Sequence, residues 1–298
     1  MTADGRFAPS PTGPLHLGSL RTALVAWLMA RSQGARFLLR IEDLDPQRSR
    51  REFESAQTAD LRALGIDWDE PPVRQSERKW LYDDALGKLH AAGRLYPCFC
   101  TRAEIREAAS APHGELPEGS YPGTCRSLSA AERRRRIESG ERFALRLWAD
   151  GERIAFDDRL LGRQSWIVDD FVVVRADGVH AYQLAVVVDD AAQGIGEVVR
   201  GTDLADSTPR QILLQRLLGL PTPSYAHVPL VLGPSGARLA KRDGGSTLAE
   251  RDEPAASTLA LLAHSLGLAE GRERVASAAA LIAEFEPARI PRESVKIL

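Results

Sequence analysis

Short apolar runs and amphipathic stretches take turns along the first third of the chain. Arg6 to Ala8 is a short apolar run, Leu17 to Ser32 carries an apolar stripe, Arg36 to Ile41 is again short and apolar, and Arg50 to Leu64 repeats at helical spacing. This alternation predicts β, α, β, α, hence a parallel sheet with helices packed on its faces. Ser76 ahead of Glu77 to Ala92, closing at Gly93, predicts another capped helix. From Leu95 to Cys125 the pattern breaks into a stretch containing Cys, Pro and Gly, where Thr101 and Glu104 have the spacing of a capping box. A small inserted subdomain is expected over 95–165, between the halves of a larger α/β domain at 1–94 and 166–245. Phe171 to Val174, Asp177-Gly178 and Tyr182 to Val188 predict two strands around a turn. Thr208-Pro209, Ile212 to Leu218 and Gly219 predict a helix with its N-cap, its N1 proline and its terminating glycine. After a loop at Gly233 to Gly245, the stretch 246–298 is rich in Ala and Leu and predicts a short helical C-terminal region.

Composition narrows the class without naming a function. A chain of 298 residues can bury a full core. Its 44% hydrophobic and 27% charged residues match an ordinary globular mixture, and its apolar runs stop well short of the ~20 residues a membrane helix needs. The start MTADGRFAPSPTG lacks the basic opening and long apolar core of a secretory signal, so a cytoplasmic location and no membrane contact are expected. A net charge of −2 means that any RNA contact must use a local basic face. The three cysteines, Cys98, Cys100 and Cys125, are too few and odd in number for a disulfide framework.

Four groups of residues can carry chemistry. The segment Phe7-Ala8-Pro9-Ser10-Pro11-Thr12-Gly13-Pro14-Leu15-His16-Leu17-Gly18-Ser19 places a strand, a rigid turn and a helix start in succession. Such a turn offers free backbone N–H groups and a positive helix end to an anion. Gly18 leaves room for a flat ring to approach, and His16 can donate to phosphate oxygens. The glycine-framed basic loop from Gly233 to Gly245 contains Leu239 and the cations Arg238, Lys241 and Arg242, which can meet a polyphosphate as charge develops. Arg6 and Arg200 can make bidentate pairs with carboxylates, and Glu42 can hold an ammonium, a set that suits free glutamate. Taken singly, each reads equally as a structural ion pair at a strand end. Cys98, Cys100 and Cys125 can supply three corners of a tetrahedral metal site, with His113, Tyr121, an acid or a water open as the fourth ligand; three buried inert cysteines are the alternative. Arg133 to Arg136 sit on a helix capped by Ser129 and Glu132 and go all round it, so a solvated surface is the default and contact with nucleic-acid phosphates is secondary.

The segment APSPTGPLHLGSLRTAL resembles the HIGH signature of class I aminoacyl-tRNA synthetases in its glutamyl form, with Ser19 in place of the final histidine. Arg238-Leu239-Ala240-Lys241-Arg242 resembles the KMSKS loop, departing from it at Arg238 and Ala240, and YQLAVVVDDAAQGIGEVVRGTDL is similar to the glutamate-pocket region of glutamyl-tRNA synthetases. The resemblance implies a Rossmann-like doubly wound parallel sheet carrying ATP-dependent activation of L-glutamate. By it, Arg6, Phe7, Ala8, Pro9, Ser10, Glu42, Tyr182 and Arg200 bind glutamate, Arg200 taking the side-chain carboxylate. His16, Gly18, Ser19, Arg238, Leu239 and Lys241 bind ATP with Mg²⁺, and His16 and Lys241 stabilise the spreading phosphate charge. The zinc-bearing members imply one structural Zn²⁺ on Cys98, Cys100, Cys125 and Tyr121.

The short paralogues of the family, which resemble this chain over nearly its whole length, imply transfer of glutamate to queuosine-containing tRNA(Asp), since the sequence ends before the helical anticodon-binding region of a full glutamyl-tRNA synthetase. The alternatives are a truncated or discriminating synthetase charging a tRNA 3′ end, a non-catalytic RNA-binding or regulatory relative, and another nucleotidyltransferase with a related site. No obligate protein partner is implied.

Overall fold

The computed structural model describes residues 3–101, 103–105, 120–233, 235–237, 239, 246–269 and 275–297. Strand β1 (Gly5–Phe7) leads through helix α1 (Leu17–Arg31) to β2 (Phe37–Ile41), and helix α2 (Arg51–Ala63) leads on to β3 (Val73–Arg74); the three strands are parallel in the order β1-β2-β3. Helix α3 (Lys79–Ala91) follows. Strand β4 (Leu95–Cys98), helix α4 (Ala130–Glu138) and strand β5 (Ala144–Leu147) come next, then a hairpin of β6 (Arg153–Asp158) and β7 (Gly162–Ile167), then β8 (Phe171–Val174). Helix α5 (Tyr182–Ala192), β9 (Glu197–Gly201), helix α6 (Thr208–Leu218) and β10 (Ser224–Val228) return the chain to the parallel layer.

β10 lies between β9 and β6, parallel to both, while β4-β5-β8 forms a separate antiparallel sheet. β1 lies beside β9, where the Gly196 and Glu197 amides donate to the Asp4 carbonyl. The loop from β10 holds β11 (Val231–Leu232), which pairs in parallel with β12 (Val295–Lys296) beyond helix α7 (Ala255–Ser265).

The sheet is covered on both faces, as the βα alternation predicts. Along β2, Phe37, Leu39 and Ile41 join one core with α1, whereas Leu38 joins a second core with α3, α5 and α6. β9 and β10 split the same way, Val199, Ala226 and Val228 going to the first core and Val198 and Tyr225 to the second. A strand buried on both faces reads as a continuous apolar run, which is why all five residues of β2 are buried. Among the described residues no helix is long and apolar enough to cross a membrane.

Three local expectations fail, each for a physical reason. Tyr182 to Val188 is the start of helix α5, not a strand. Leu184 to Val188 are all buried, so uniform burial removes the period that separates a helix from a strand. The Asp177-Gly178 turn does form, with Gly178 at φ +82°, but it closes only an isolated bridge between Val174 and His180. Ser76 does not cap α3: its hydroxyl donates to Asp43 in a preceding 3₁₀ turn. Thr208 is the first residue of α6 with Ser207 as N-cap, and the Thr208 hydroxyl is used elsewhere, although Gly219 ends the helix left-handed at φ +67° as expected. After residue 245, α7 is the one α-helix among the described residues; the rest is 3₁₀ turns and β12. The Thr101/Glu104 box does close reciprocally, the Thr101 N–H donating to Glu104 and the Glu104 N–H to the Thr101 hydroxyl.

Candidate active site and a cysteine cluster

Parallel strands of a doubly wound sheet present their carboxyl ends to one crevice, where ligands of such folds sit. Here the ends of β1, β2 and β9 and the turn after β10 border a cavity of about 480 Å³. All eight residues expected to contact glutamate line it, Arg6 to Ser10 from β1 and its turn, Glu42 from the end of β2, Tyr182 from the start of α5 and Arg200 from β9. His16, Gly18 and Ser19 line the same cavity.

The charged groups around it divide sharply. Arg6 is buried and tied to the Asp190 carboxylate at 3.2 Å and to the Val199 carbonyl. Arg40, fully buried beneath, donates to Asp190 at 2.7 Å and to Glu42 at 3.3 Å, and lies 3.8 Å from Asp189. For Arg6 and Glu42 the structural ion-pair reading is therefore realised, although both also face the cavity. Burial pushes the Glu42 carboxyl above the ordinary carboxylate range, outweighing the Arg40 and Arg6 guanidiniums. A ligand ammonium would reverse that direction.

Arg200 is different. Its side chain is buried, and among the described residues its hydrogen bonds reach only neutral groups: Thr208 Oγ1 at 2.7 Å, Gln211 Oε1 at 2.8 Å, His227 Nε2 at 3.1 Å and the Tyr182 hydroxyl at 3.3 Å. A guanidinium out of water, with neutral partners and a cavity in front of it, favours an anionic ligand. Four of its five N–H groups are occupied, which leaves one Nη2–H, and the Tyr182 hydroxyl keeps its own proton to donate.

His16 begins α1 as its N-cap, Nδ1 accepting from the Ser19 N–H at 3.1 Å. That bond makes Nε2 the proton-bearing nitrogen of a neutral ring, 3.2 Å from the Ser19 hydroxyl. A Cβ on Gly18 would lie 3.1 Å from the His16 ring and 3.5 Å from Val231, so a side chain there would crowd the histidine. Arg238 and Lys241 lie outside the described residues. The residues that bracket them are anchored close by: Leu239 is buried in the first core and donates to the Val231 carbonyl, Ser246 accepts from the Leu17 N–H at 2.7 Å, and Thr247 bridges to His16.

The cysteines form a second site. The Sγ atoms of Cys98, Cys100 and Cys125 all lie within 4.8 Å of one another. The Tyr121 hydroxyl is 3.4 Å from Cys98 Sγ and 3.7 Å from Cys100 Sγ. Ligand atoms at Zn–S and Zn–O distances of ~2.3 and ~2.0 Å in a tetrahedron are separated by roughly 3.5–3.8 Å, a spacing close to that of the two Tyr121 contacts and of Cys100 Sγ and Cys125 Sγ at 3.4 Å. Burial opposes a Cys98 thiolate, yet the hydrogen bond from Tyr121 and the Arg146 guanidinium hold its pKa below the usual thiol range. Burial and the bond with Cys125 push Cys100 up to about 12, a direction that a bound cation inverts. Of the other ligand candidates, His113 lies outside the described residues. Arg133 to Arg136 are not a bare basic patch: Arg135 and Arg136 pair with Glu132, and the Arg133 and Arg136 guanidiniums lie over the Tyr96 and Phe99 rings.

Residues 3–292 match the catalytic domain of class I tRNA synthetases of the E and Q type. The chain belongs to that family. It is a ligase of the aminoacyl-tRNA synthetase type, with the mixed α/β fold of a glutamyl-tRNA synthetase. The glutamyl-Q tRNA(Asp) synthetase of Nocardia farcinica is 56% identical over 97% of this chain and 91% of its own length. That of Symbiobacterium thermophilum is 54% identical over 98% and 95%. The crystal structure of a glutamate tRNA ligase from Elizabethkingia meningosepticum, in complex with its amino acid, superposes on the whole chain and on 67% of the ligase with a TM-score of 0.84 at 28% identity.

The family signatures did not point to the groups behind Arg200. Thr208, Gln211 and His227 hold it, and Asp158 holds His227 through Nδ1 at 2.6 Å. The available signal was His227 itself, a lone polar residue in the apolar run Tyr225-Ala226-His227-Val228.

Proposed function

We propose that the protein activates L-glutamate with ATP without needing tRNA, and transfers it to the queuosine base in the anticodon of tRNA(Asp). One observation carries the amino-acid half of this reading: Arg200, a buried cation with only neutral partners, borders the same cavity as Glu42 and His16. The side-chain carboxylate of glutamate would take the remaining Arg200 N–H and the Tyr182 hydroxyl, and its ammonium would lie towards Glu42. An uncharged glutamine side chain would leave the guanidinium without an anion, so glutamate is favoured.

Catalysis is then positioning and electrostatics. A glutamate α-carboxylate oxygen attacks the α-phosphorus of ATP, and the bond to pyrophosphate breaks, giving the acyl adenylate. His16 Nε2–H and Lys241 would donate to the phosphate oxygens; Mg²⁺ bound with ATP supplies further charge neutralisation. A ribose-like hydroxyl of the modified base would then attack the acyl carbon and release AMP, forming an ester. The acceptor rests on the names of the Nocardia and Symbiobacterium relatives, matched over almost their full length. Single-stranded anticodon loops are the RNA elements that proteins read specifically.

Cys98, Cys100, Cys125 and Tyr121 would hold one structural zinc in an acceptor-facing insertion over 95–165. A truncated synthetase charging a tRNA 3′ end shares every residue of the activation site, so an acceptor assay separates the two readings. ATP–pyrophosphate exchange should require glutamate and proceed without tRNA. Labelled glutamate should pass to tRNA(Asp) that contains queuosine and not to the same tRNA lacking it. Periodate-sensitive charging of tRNA(Glu) would overturn the acceptor, and absence of glutamate-dependent exchange would overturn the activation.

A further inference from the structure

We infer that His227, held by Asp158 in one neutral tautomer, is a positioning residue that aims the Arg200 guanidinium and so sets selectivity for an anionic amino-acid side chain. The inference rests on glutamate as the ligand of Arg200. His227 lies directly across from Arg200 in the β9/β10 ladder and is fully buried.

Asp158 fixes the ring. Its Oδ1 is committed to three backbone amides, Leu161 at 2.9 Å, Leu160 at 3.0 Å and His227 at 3.2 Å, and its Oδ2 meets His227 Nδ1 at 2.6 Å. A carboxylate with those partners can only accept, so Nδ1 carries the proton. On the far side Arg200 Nε–H can only donate, so Nε2 must be an acceptor; the Thr208 hydroxyl, 3.1 Å from the same nitrogen, completes the contact. Burial and the Arg200 charge outweigh Asp158 and keep the His227 pKa below its ordinary value, in line with a neutral ring. The negative charge of Asp158 thus reaches Arg200 only through a neutral ring. The guanidinium is oriented, yet no carboxylate touches it from behind and its open edge keeps its demand for an anion.

Asp158→Asn tests this with almost no change of shape. The three backbone amides still require an oxygen, which turns the new NH₂ towards Nδ1. His227 must then accept there and carry its proton on Nε2, so that two donors face each other across the contact with Arg200. The tautomer is read directly from ring ¹⁵N shifts, assigned with His227→Gln. Wild type should show a protonated Nδ1 and a bare Nε2, and Asp158→Asn the reverse. In glutamate-dependent ATP–pyrophosphate exchange, Asp158→Asn should raise the KM for glutamate about 10- to 100-fold, leave the KM for ATP within twofold, and narrow the preference for glutamate over glutamine. His227→Gln, whose amide oxygen can take the place of Nε2, should raise the glutamate KM less than Asp158→Asn does.

A wild-type ring protonated on Nε2 overturns the inference whether or not any variant folds. So does an Asp158→Asn enzyme with unchanged glutamate KM, or an equal rise in the KM for ATP. Wild-type enzyme that gives no exchange with glutamate would sink the proposed activity instead, a result the tautomer measurement tells apart.

Discussion

Two buried arginines a few ångströms from one cavity have opposite surroundings. Arg40, on strand β2, is enclosed by Asp190, Asp189 and Glu42, and the Asp189 carboxylate also takes Arg78, Gln75 and Tyr82. Arg200, at the end of β9, is enclosed by a threonine, a glutamine, a histidine and a tyrosine. Taking a guanidinium out of water costs several kcal/mol, which acids within the fold offset for Arg40. On the proposed reading, the carboxylate of a bound glutamate offsets it for Arg200. The cysteine cluster is the mirror case, thiols around a space that a cation would complete. A buried charge that the fold neutralises supports structure; one that it orients and leaves unneutralised marks a site.

The comparison can be broken first at Arg40. Arg40→Met leaves Asp190 with Arg6 and Asp189 with Arg78, Gln75 and Tyr82, so the buried acids are one cation short, and it should lower the unfolding free energy by about 3–5 kcal/mol, read as a shifted urea midpoint. An unchanged midpoint would mean that the network is not structural. Arg200→Leu should do the reverse, holding the midpoint while kcat/KM for glutamate falls by the equivalent of about 2–5 kcal/mol. Retained glutamate kinetics would remove Arg200 from the binding site.

The cysteine cluster gives the next largest effect. Elemental analysis should find roughly one zinc per chain in protein purified without added metal, lost in Cys100→Ser together with about 5 °C or more of Tm. Exchange with glutamate should persist, because none of the three cysteines lines the cavity. Full zinc in that variant would exclude the site.

The smallest effect is a slope. His227 has a depressed pKa in the fold, whereas in the unfolded chain it binds a proton near pH 6.5. Below about pH 6.5 the unfolded state therefore binds more protons, and stability falls as pH drops, by at most ~1.4 kcal/mol per pH unit for one group. Asp158, whose carboxyl the His227 bond and the Leu160 and Leu161 amides hold below its usual range against burial, acts in a separate window, losing its contribution as pH falls through its folded value. The Tm of wild type should thus decline more steeply between pH 6.5 and 5.5 than that of His227→Gln. Parallel slopes would show a protonated imidazole in the fold.

The signatures around His16 and Arg200 were legible along the chain because each is local: a strand, a turn and a helix start in one case, the end of one strand in the other. The βα alternation fixed the class, since a sheet buried on both faces writes itself as short continuous apolar runs. Tyr182 to Val188 was misread because a helix buried all round loses its period and looks like such a run. The place of Thr208 before Pro209 suits a cap, and nothing local reveals that a guanidinium eight positions earlier donates to its hydroxyl.

The sequence by itself determined the chemistry available: a glycine- and proline-shaped turn ahead of His16, a basic loop, three thiols, and arginines suited to carboxylates. Only the tertiary structure decided which arginine is satisfied and which is not, because Arg40 meets Asp190 and Arg200 meets His227 across 150 and 27 positions of chain. Hydrogen-bond partners at such separations are set by the packing of strands and helices, and the charge balance of a site is a sum over those partners.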